Sequence, residues 1–274
     1  MSGSLLAAIA AASATSVPGL FQEPCDQVSL PHPGRVALGG LLGGRVKLSV
    51  DQRLKIVDES ELLDGFRAKP GSHPWIGEHA GKHLHAACLA LMYHEDPQLR
   101  DKARRVAEGL IASQEADGYL GTYEQESRFS LKPNREWDVW SHKYCILGLL
   151  SWHGVSRDPK ALQACRRAAD LLIRIFEPGS RLLSETSAHE GMASTSVLEP
   201  IIALYHVTKE ARYLEFAKHI VKSFDEPKGS HLVQDILKTG QVDHASNGKA
   251  YEMLSNLIGL TDLYRATGDA QLLR

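Results

Sequence analysis

A helical unit recurs along the chain from residue 77 onward, and this repeat constrains the fold more than any other feature. Each unit pairs a helix that is apolar on nearly every side with a helix that carries one apolar stripe. A helix that is apolar all round is buried on both sides, whereas a striped helix packs by one face only. Two such helices alternating along the chain favour an inner ring wrapped by an outer ring. We therefore predict an all-α fold, a partial α/α toroid of about three and a half hairpins, over residues 71–274.

Acidic N-caps mark the striped helices of this repeat. Asp96 and Asp158, each followed by proline, precede two of them, and Glu210 precedes the third. The helices that are apolar all round are predicted at 80–92, 144–152, 197–207 and 253–264. The fourth of these has no complete striped partner after it, so part of its apolar surface stays uncovered. We therefore expect a longer protein, or a partner, to complete the core.

The first 70 residues differ in composition from the repeat. Residues 25–70 are rich in glycine and proline, and short alternating stretches at 35–38 and 45–50 predict a small β element. Residues 1–24 hold an apolar, alanine-rich run that ends in Ala12-Ser13-Ala14, a pattern typical of a signal-peptide cleavage site. Because no Lys or Arg precedes this run, two interpretations stay open. One is a signal peptide with secretion or export to the periplasm, and the other is a disordered leader on a cytoplasmic protein.

Composition argues against several kinds of partner. The 31 basic and 33 acidic residues give a net charge of −2 without long runs of either sign, so we expect no nucleic-acid partner. No apolar stretch reaches the roughly 18 residues of a membrane span, so we expect no membrane partner. The cysteines are too scattered for a disulfide framework or a zinc motif. We also expect no metal site in this chain, because His79 and His83 lie one helical turn apart without an identifiable third ligand.

Aromatic and polar residues concentrate in the segments that lead into the helices predicted to be apolar all round. In an α/α toroid these segments surround one mouth of the central funnel. Flat aromatic rings cover the apolar faces of a sugar, and carboxylates, imidazoles and amides bind its hydroxyls. We therefore predict a carbohydrate-binding site. Its candidate residues are Trp75, Glu78, His79, Trp137, Asp138, Trp140, His142, Glu190, Ser194 and Asn247.

Five segments together resemble the catalytic domain of glycoside hydrolase family 127, the β-L-arabinofuranosidase-like group. They are GEHAGKHLHAACLAL (77–91), DGYLGTY (117–123), WDVWSHKYCILGLL (137–150), GMASTSVLEPIIALYHVT (191–208) and NGKAYEMLSNLIGLTDLYRATGD (247–269). The resemblance implies an (α/α)6 barrel followed by β-sandwich domains. This chain then corresponds to the N-terminal part, an incomplete (α/α)6 barrel, and the other barrel half and the β-sandwich domains are its missing partners.

The resemblance also implies a reaction, the retaining hydrolysis of an L-arabinofuranoside or a related glycoside. In the family a cysteine nucleophile is held on zinc and a glutamate acts as acid/base, because a zinc-bound sulfur stays a thiolate at neutral pH. The family's Glu-x-Cys motif and Cys-Cys pair are absent from this chain in that context, so the catalytic residues stay unassigned. We expect the zinc and the nucleophile in the full-length protein, outside this chain, and the chain alone to be inactive. His142 falls where the family places a sugar-contacting histidine.

Two other functions stay open from the sequence. Other α/α barrels are sugar epimerases or isomerases that exchange protons through a pair of histidines, for which His142 with His79 or His244 is a candidate. A non-catalytic carbohydrate-binding toroid is the other alternative.

Overall fold

The computed structural model describes residues 36–130 and 132–273, and the elements in these ranges are helices and turns, with no strand. The helices are α1 (Gly40–Ser49), α2 (Glu59–Arg67), α3 (Gly77–Tyr93), α4 (Pro97–Ser113), α5 (Asp138–Ser156), α6 (Pro159–Ile175), α7 (Met192–Thr195), α8 (Leu198–Thr208), α9 (Ala211–Lys222), α10 (Leu232–Thr239) and α11 (Ala250–Thr267). Short 3-10 turns lie at Gln125–Ser127, Leu183–Thr186, Ser223–Asp225 and Ala270–Leu273. The predicted all-α fold is confirmed.

The helices form two layers. The inner helices α3, α5, α8 and α11 pack on one another in that order, and α4, α6 and α9 pack outside α3, α5 and α8. Turns of two or three residues join each of α3, α5 and α8 to its outer partner, whereas longer loops lead back into the next inner helix. Because the helices of a hairpin run in opposite directions, these longer loops lie at one end of the two layers. This end, which we call the mouth, is where the predicted site residues lie, and the whole is a partial α/α barrel.

Local hydrogen bonds explain where two outer helices begin. The side chain of Asp96 accepts hydrogen bonds from two backbone amides in the first turn of α4, and Asp158 accepts one in the first turn of α6. Both predicted N-caps are confirmed. Glu210 makes no such hydrogen bond before α9 and instead pairs with Arg166 on α6, at 2.8 Å.

Glycines allow α3 and α5 to approach closely. A Cβ atom placed on Gly81 would lie 2.1 Å from the carbonyl oxygen of Tyr144, and one on Gly148 would lie 2.6 Å from the carbonyl oxygen of Gly81. Only hydrogen fits in these gaps. This contact in the middle of α5 sets the position of α5 relative to α3.

Burial differs between two inner helices. Every residue of α5 from Asp138 to Trp152 is buried, as expected for a helix enclosed on all sides. On α11, by contrast, Tyr251, Leu254 and Ile258 are about half exposed along one face. Within the described residues this apolar face is uncovered. No described helix combines the length with the hydropathy that a bilayer crossing requires.

The β element predicted within residues 25–70 is wrong for the part that the structure describes. Residues 40–49 form α1, which continues into a π-helical turn at Val50–Leu54, and α2 follows before residue 71. The alternating apolar pattern led to a wrong strand prediction. Because α1 has no buried residue, its apolar positions are not selected by packing against a core. The predicted leader at 1–24 and Cys25 lie outside the described residues.

Candidate functional site

A cavity of about 270 Å³ lies at the mouth, where loops lead into α3, α5 and α11. The residues that line it are Trp75, Glu78, Trp137, Trp140, His189, Lys249, Tyr251 and Glu252. The first four were predicted from the sequence. The other four were not, although His189 and Lys249 stand within two residues of the predicted Glu190 and Asn247.

Three tryptophans form an aromatic wall of this cavity. The ring of Trp137 meets Trp75 edge to face at 6.2 Å between centroids and meets Trp140 in the same way at 6.0 Å. Tyr251 of α11 extends the wall, with its ring centroid 5.5 Å from that of Trp140. Such rings offer flat apolar surfaces on which the C–H groups of a sugar can lie.

Glu78 is held in place by two partners. One carboxylate oxygen accepts a hydrogen bond from the indole nitrogen of Trp140, and the other lies 2.9 Å from the ammonium of Lys82. That ammonium lies 4.5 Å from the ring centroid of Tyr144 and 4.9 Å from that of Tyr251. The first turns of α3, α5 and α11 are thereby joined around one lysine, and Glu78 presents hydrogen-bond acceptors at the cavity.

A second carboxylate faces the cavity from α11. Glu252 is almost completely buried, and its Oε1 lies 3.9 Å from Nε2 of His189. Its Oε2 is buried and has no hydrogen-bond partner among the described residues. Leaving a buried acceptor unsatisfied costs about 1–3 kcal/mol, a cost that proteins tolerate mainly where the group has a role.

Asp138 and His142 do not line the cavity, and both side chains are fully buried. Asp138 accepts hydrogen bonds from the hydroxyl of Tyr119, at 2.9 Å, and from the backbone N–H of Phe129, at 3.1 Å. Nε2 of His142 accepts from the N–H of Leu120, so Nδ1 carries the proton and donates to the Asp138 carbonyl oxygen, at 2.9 Å. Burial lowers the pKa of His142 and raises the pKa of the Asp138 carboxyl. Sugar contact by either residue stays a prediction from the sequence, and it would require the side chain to leave these hydrogen bonds.

The other four predicted residues do not line the cavity. Nε2 of His79 lies 3.8 Å from the Glu78 carboxylate, and burial lowers the pKa of this histidine. Ser194, on α7, is buried and bonds to the hydroxyls of Thr186 and Ser187. Glu190 accepts a hydrogen bond from a serine hydroxyl before α11, at 2.6 Å, and the amide of Asn247 lies 3.2 Å from His189 Nδ1. Glu190 and Asn247 thus tie the α10–α11 loop to the loop that carries His189.

The described cysteines do not suit a zinc-held nucleophile. Cys88, Cys145 and Cys165 are buried. Burial raises the pKa of Cys88 to about 12 and also raises the pKa of Cys145 and Cys165, which disfavours the thiolate that binds metal and attacks carbon. In the ranges 36–130 and 132–273, no three His, Cys, Asp or Glu side chains converge as ligands of one metal ion. These residues therefore do not fit the zinc that the family resemblance implies.

Comparison with protein families decides the assignment. The family model described as β-L-arabinofuranosidase, GH127 catalytic domain, matches residues 49–274. The chain belongs to glycoside hydrolase family 127. The resemblance inferred from the five sequence segments is confirmed, and the matched range of this GH127 chain contains helices α2 to α11.

Known proteins similar to this GH127 chain agree with the family. A non-reducing end β-L-arabinofuranosidase of Bifidobacterium longum subsp. longum is 29% identical over 149 residues, which cover 51% of this chain and 22% of that protein. A GH127 β-L-arabinofuranosidase from Geobacillus stearothermophilus T6 superposes with a TM-score of 0.61 at 18% identity, covering 84% of this chain and 40% of that chain. A second structure, of a GH127 β-arabinofuranosidase, superposes with a TM-score of 0.62 at 16% identity. The superposition covers 89% of this chain and 42% of that chain. The two structures show the shared fold, and the chain spans less than half the length of each of these relatives.

Proposed function

We propose that this GH127 chain forms part of the substrate funnel of a retaining glycosidase that acts on L-arabinofuranosides or related glycosides. The observation that carries the proposal is the cavity at the mouth, where three tryptophans converge with two carboxylates, Glu78 and Glu252. Aromatic faces beside fixed acceptors suit a ligand with apolar C–H faces and many hydroxyls. Family membership supports the same substrate class, since the similar proteins are named β-L-arabinofuranosidases.

In this proposal the wall and the polar groups have separate roles. Trp137 covers one face of the sugar ring and excludes water from it, and Trp140, which is 1% exposed, supports Trp137 from behind. Glu78, oriented by Trp140 and Lys82, accepts hydrogen bonds from sugar hydroxyls. Glu252 uses its unpartnered oxygen in the same way, so a bound hydroxyl offsets the cost of that buried acceptor.

The bond-breaking groups are proposed to lie outside this chain. Two observations support this. The three described cysteines are buried with raised pKa values, and the chain spans 22% of the curated relative that it matches. The zinc, the nucleophile and the acid/base would then belong to the other barrel half of a longer protein, which the β-sandwich domains would follow.

Calorimetric titration of the chain with L-arabinose tests the proposal. Trp137→Ala removes part of the aromatic wall and is expected to weaken binding about tenfold or more, which corresponds to about 1.4 kcal/mol. The control is Trp152→Phe, which changes a buried tryptophan further along the same helix and is expected to leave the affinity unchanged. No binding by the unaltered chain, or equal losses in both variants, would contradict the proposed function.

An activity assay addresses the location of the nucleophile. The purified chain is expected to release no nitrophenol from a nitrophenyl L-arabinofuranoside. Release at the rate of an ordinary glycosidase would show that a residue of this chain attacks the sugar.

The alternative of a sugar epimerase or isomerase would require His142 to leave its present hydrogen bonds. Both of its ring nitrogens are bonded to backbone groups, so neither is free to exchange a proton with a ligand in this arrangement. Product analysis separates the functions in a longer protein that contains this chain. Monosaccharide with retained anomeric configuration supports hydrolysis, an epimer without bond cleavage supports the epimerase, and binding without either product supports a non-catalytic toroid.

A further inference from the structure

A second cavity, of about 350 Å³, adjoins the proposed sugar site. It is lined by residues 70–75, which form the loop before α3, and by Tyr123, Asn134 and Arg135. Trp75 lines both cavities and is 45% exposed. One exposed aromatic side chain therefore forms a shared wall between two adjacent pockets.

Hydrogen bonds tie the walls of the second cavity to the first. The hydroxyl of Tyr123 donates to the carbonyl oxygen of Pro74, at 2.7 Å, and accepts from the backbone N–H of Trp137, at 3.2 Å. The loop before α3 is also bonded to the Tyr123 segment, since the N–H of Gly71 donates to the carbonyl oxygen of Thr122, at 2.9 Å. The second cavity is thus held in register with the aromatic wall that Trp137 belongs to.

The polar groups of the second cavity include both hydrogen-bond donors and acceptors. The guanidinium of Arg135 has five N–H groups, and the structure shows one bonded to the Asn134 carbonyl oxygen, at 2.9 Å, and one to Glu124, at 3.1 Å. The amide of Asn134 and the hydroxyl of Ser72 add further hydrogen-bonding groups. No carboxylate lines this cavity, whereas Glu78 and Glu252 line the first. The second cavity therefore suits a neutral sugar, whose hydroxyls both donate and accept hydrogen bonds.

We propose that the second cavity is a saccharide subsite that binds the sugar unit next to the one held in the first cavity. Trp75 contacts both units, and Arg135 and Asn134 bind hydroxyls of the second. The ligand class is then a saccharide of at least two units. This inference rests on the proposed function, because it takes the first cavity to hold the neighbouring sugar.

Calorimetry with two probes tests the subsite, using L-arabinose and a thio-linked disaccharide of L-arabinofuranose that cannot be hydrolysed. The test variant is the double substitution Asn134→Gly with Arg135→Gln. Asn134 has a φ of 61°, in the left-handed region that glycine also adopts, so this change removes the amide without straining the backbone. The matched control is Lys132→Gln, on the same loop, whose exposed ammonium bonds the Glu126 carbonyl and does not line the cavity.

The unaltered chain and the control are expected to bind the disaccharide at least about fivefold more tightly than L-arabinose. The double variant is expected to lose this preference while keeping its affinity for L-arabinose. Equal affinities in the unaltered chain, or a preference that survives in the double variant, would overturn the subsite and leave the proposed function standing. Failure of both probes to bind would overturn the proposed function and the subsite with it.

Discussion

Residues 137–142, the N-cap and first turn of α5, have a cavity side and a buried side. Trp137 and Trp140 face the cavity at the mouth, whereas Asp138 and His142 face the interior, fully buried, with hydrogen bonds to backbone or tyrosine groups. Successive residues of a helix point about 100° apart, so neighbours in sequence lie on different faces. Six consecutive residues thus contribute to a ligand cavity on one side and to the stability of the fold on the other.

The difference teaches how to distinguish a binding residue from a residue that holds a loop. Polar atoms on the buried side are satisfied within the protein, as in the bond from Leu120 N–H to His142. On the cavity side Glu252 keeps an oxygen without a partner in the described part of the chain. Substitutions on the two sides are therefore expected to separate unfolding free energy from sugar affinity.

The largest effect is expected for His142→Ala, on the buried side. The change leaves the Leu120 N–H without its acceptor and opens a cavity beside Tyr119 and Phe129, whose rings lie 5.0 and 5.3 Å from the imidazole. We expect the free energy of unfolding to fall by about 4 kcal/mol, measured by urea denaturation followed by circular dichroism. A fall below about 1 kcal/mol would show that the buried side does not stabilise the fold.

The next effect concerns pH and a buried histidine of α3. Burial lowers the pKa of His83 from its usual 6.5 to about 4. Between these values the unfolded chain binds a proton that the folded chain does not, so the free energy of unfolding falls as the pH drops from about 6.5 to 4. Linkage gives up to about 3 kcal/mol for a shift of this size.

Urea denaturation at pH 7 and at pH 4.5 measures that dependence. His83→Leu is expected to reduce it, since leucine does not titrate and Nε2 of His83 has no hydrogen-bond partner among the described residues. The control is His94→Gln, at an exposed position. An unchanged pH dependence in His83→Leu would contradict the expectation.

A matched pair of carboxylate-to-amide changes compares the two sides directly. Asp138→Asn places an amide where two donors converge and is expected to lower the free energy of unfolding by about 2 kcal/mol. Glu252→Gln is expected to change the free energy of unfolding by less than about 0.5 kcal/mol and to weaken L-arabinose binding about fivefold, or by about 1 kcal/mol. Denaturation and calorimetry on both variants make the comparison, and the reverse pattern would refute it.

The smallest effect is expected for Trp75→Phe. The side chain is 45% exposed and phenylalanine keeps an aromatic face, so the free energy of unfolding should change by less than about 0.5 kcal/mol. The affinity for L-arabinose should fall about twofold in calorimetry. A loss of stability comparable to that of His142→Ala would place Trp75 among the residues that hold the fold.

Sequence reasoning predicted the order of inner and outer helices because burial imposes a period that is readable from apolar residues. It also predicted the caps at Asp96 and Asp158, because their hydrogen bonds are local. It failed at α1, where no residue is buried and the pattern carries no information about packing.

The site was predicted in part for a similar reason. The tryptophans stand out by residue type. That Trp140 lines the cavity while His142 does not depends on how α5 is rotated about its axis relative to α3. The contributions of Tyr251 and Glu252 depend on where α11 packs against its neighbours. Neither arrangement follows from local sequence.

A crystal structure of the chain, from crystals soaked with L-arabinose, gives the most direct test. It shows whether the cavity side of α5 binds the sugar while the buried side only stabilises the fold. The account predicts a sugar ring against Trp137, with hydroxyls within hydrogen-bond distance of Glu78 or Glu252, and unchanged contacts of His142 with Leu120 and Asp138. A sugar bound elsewhere, or a His142 side chain turned out to contact it, would contradict the account.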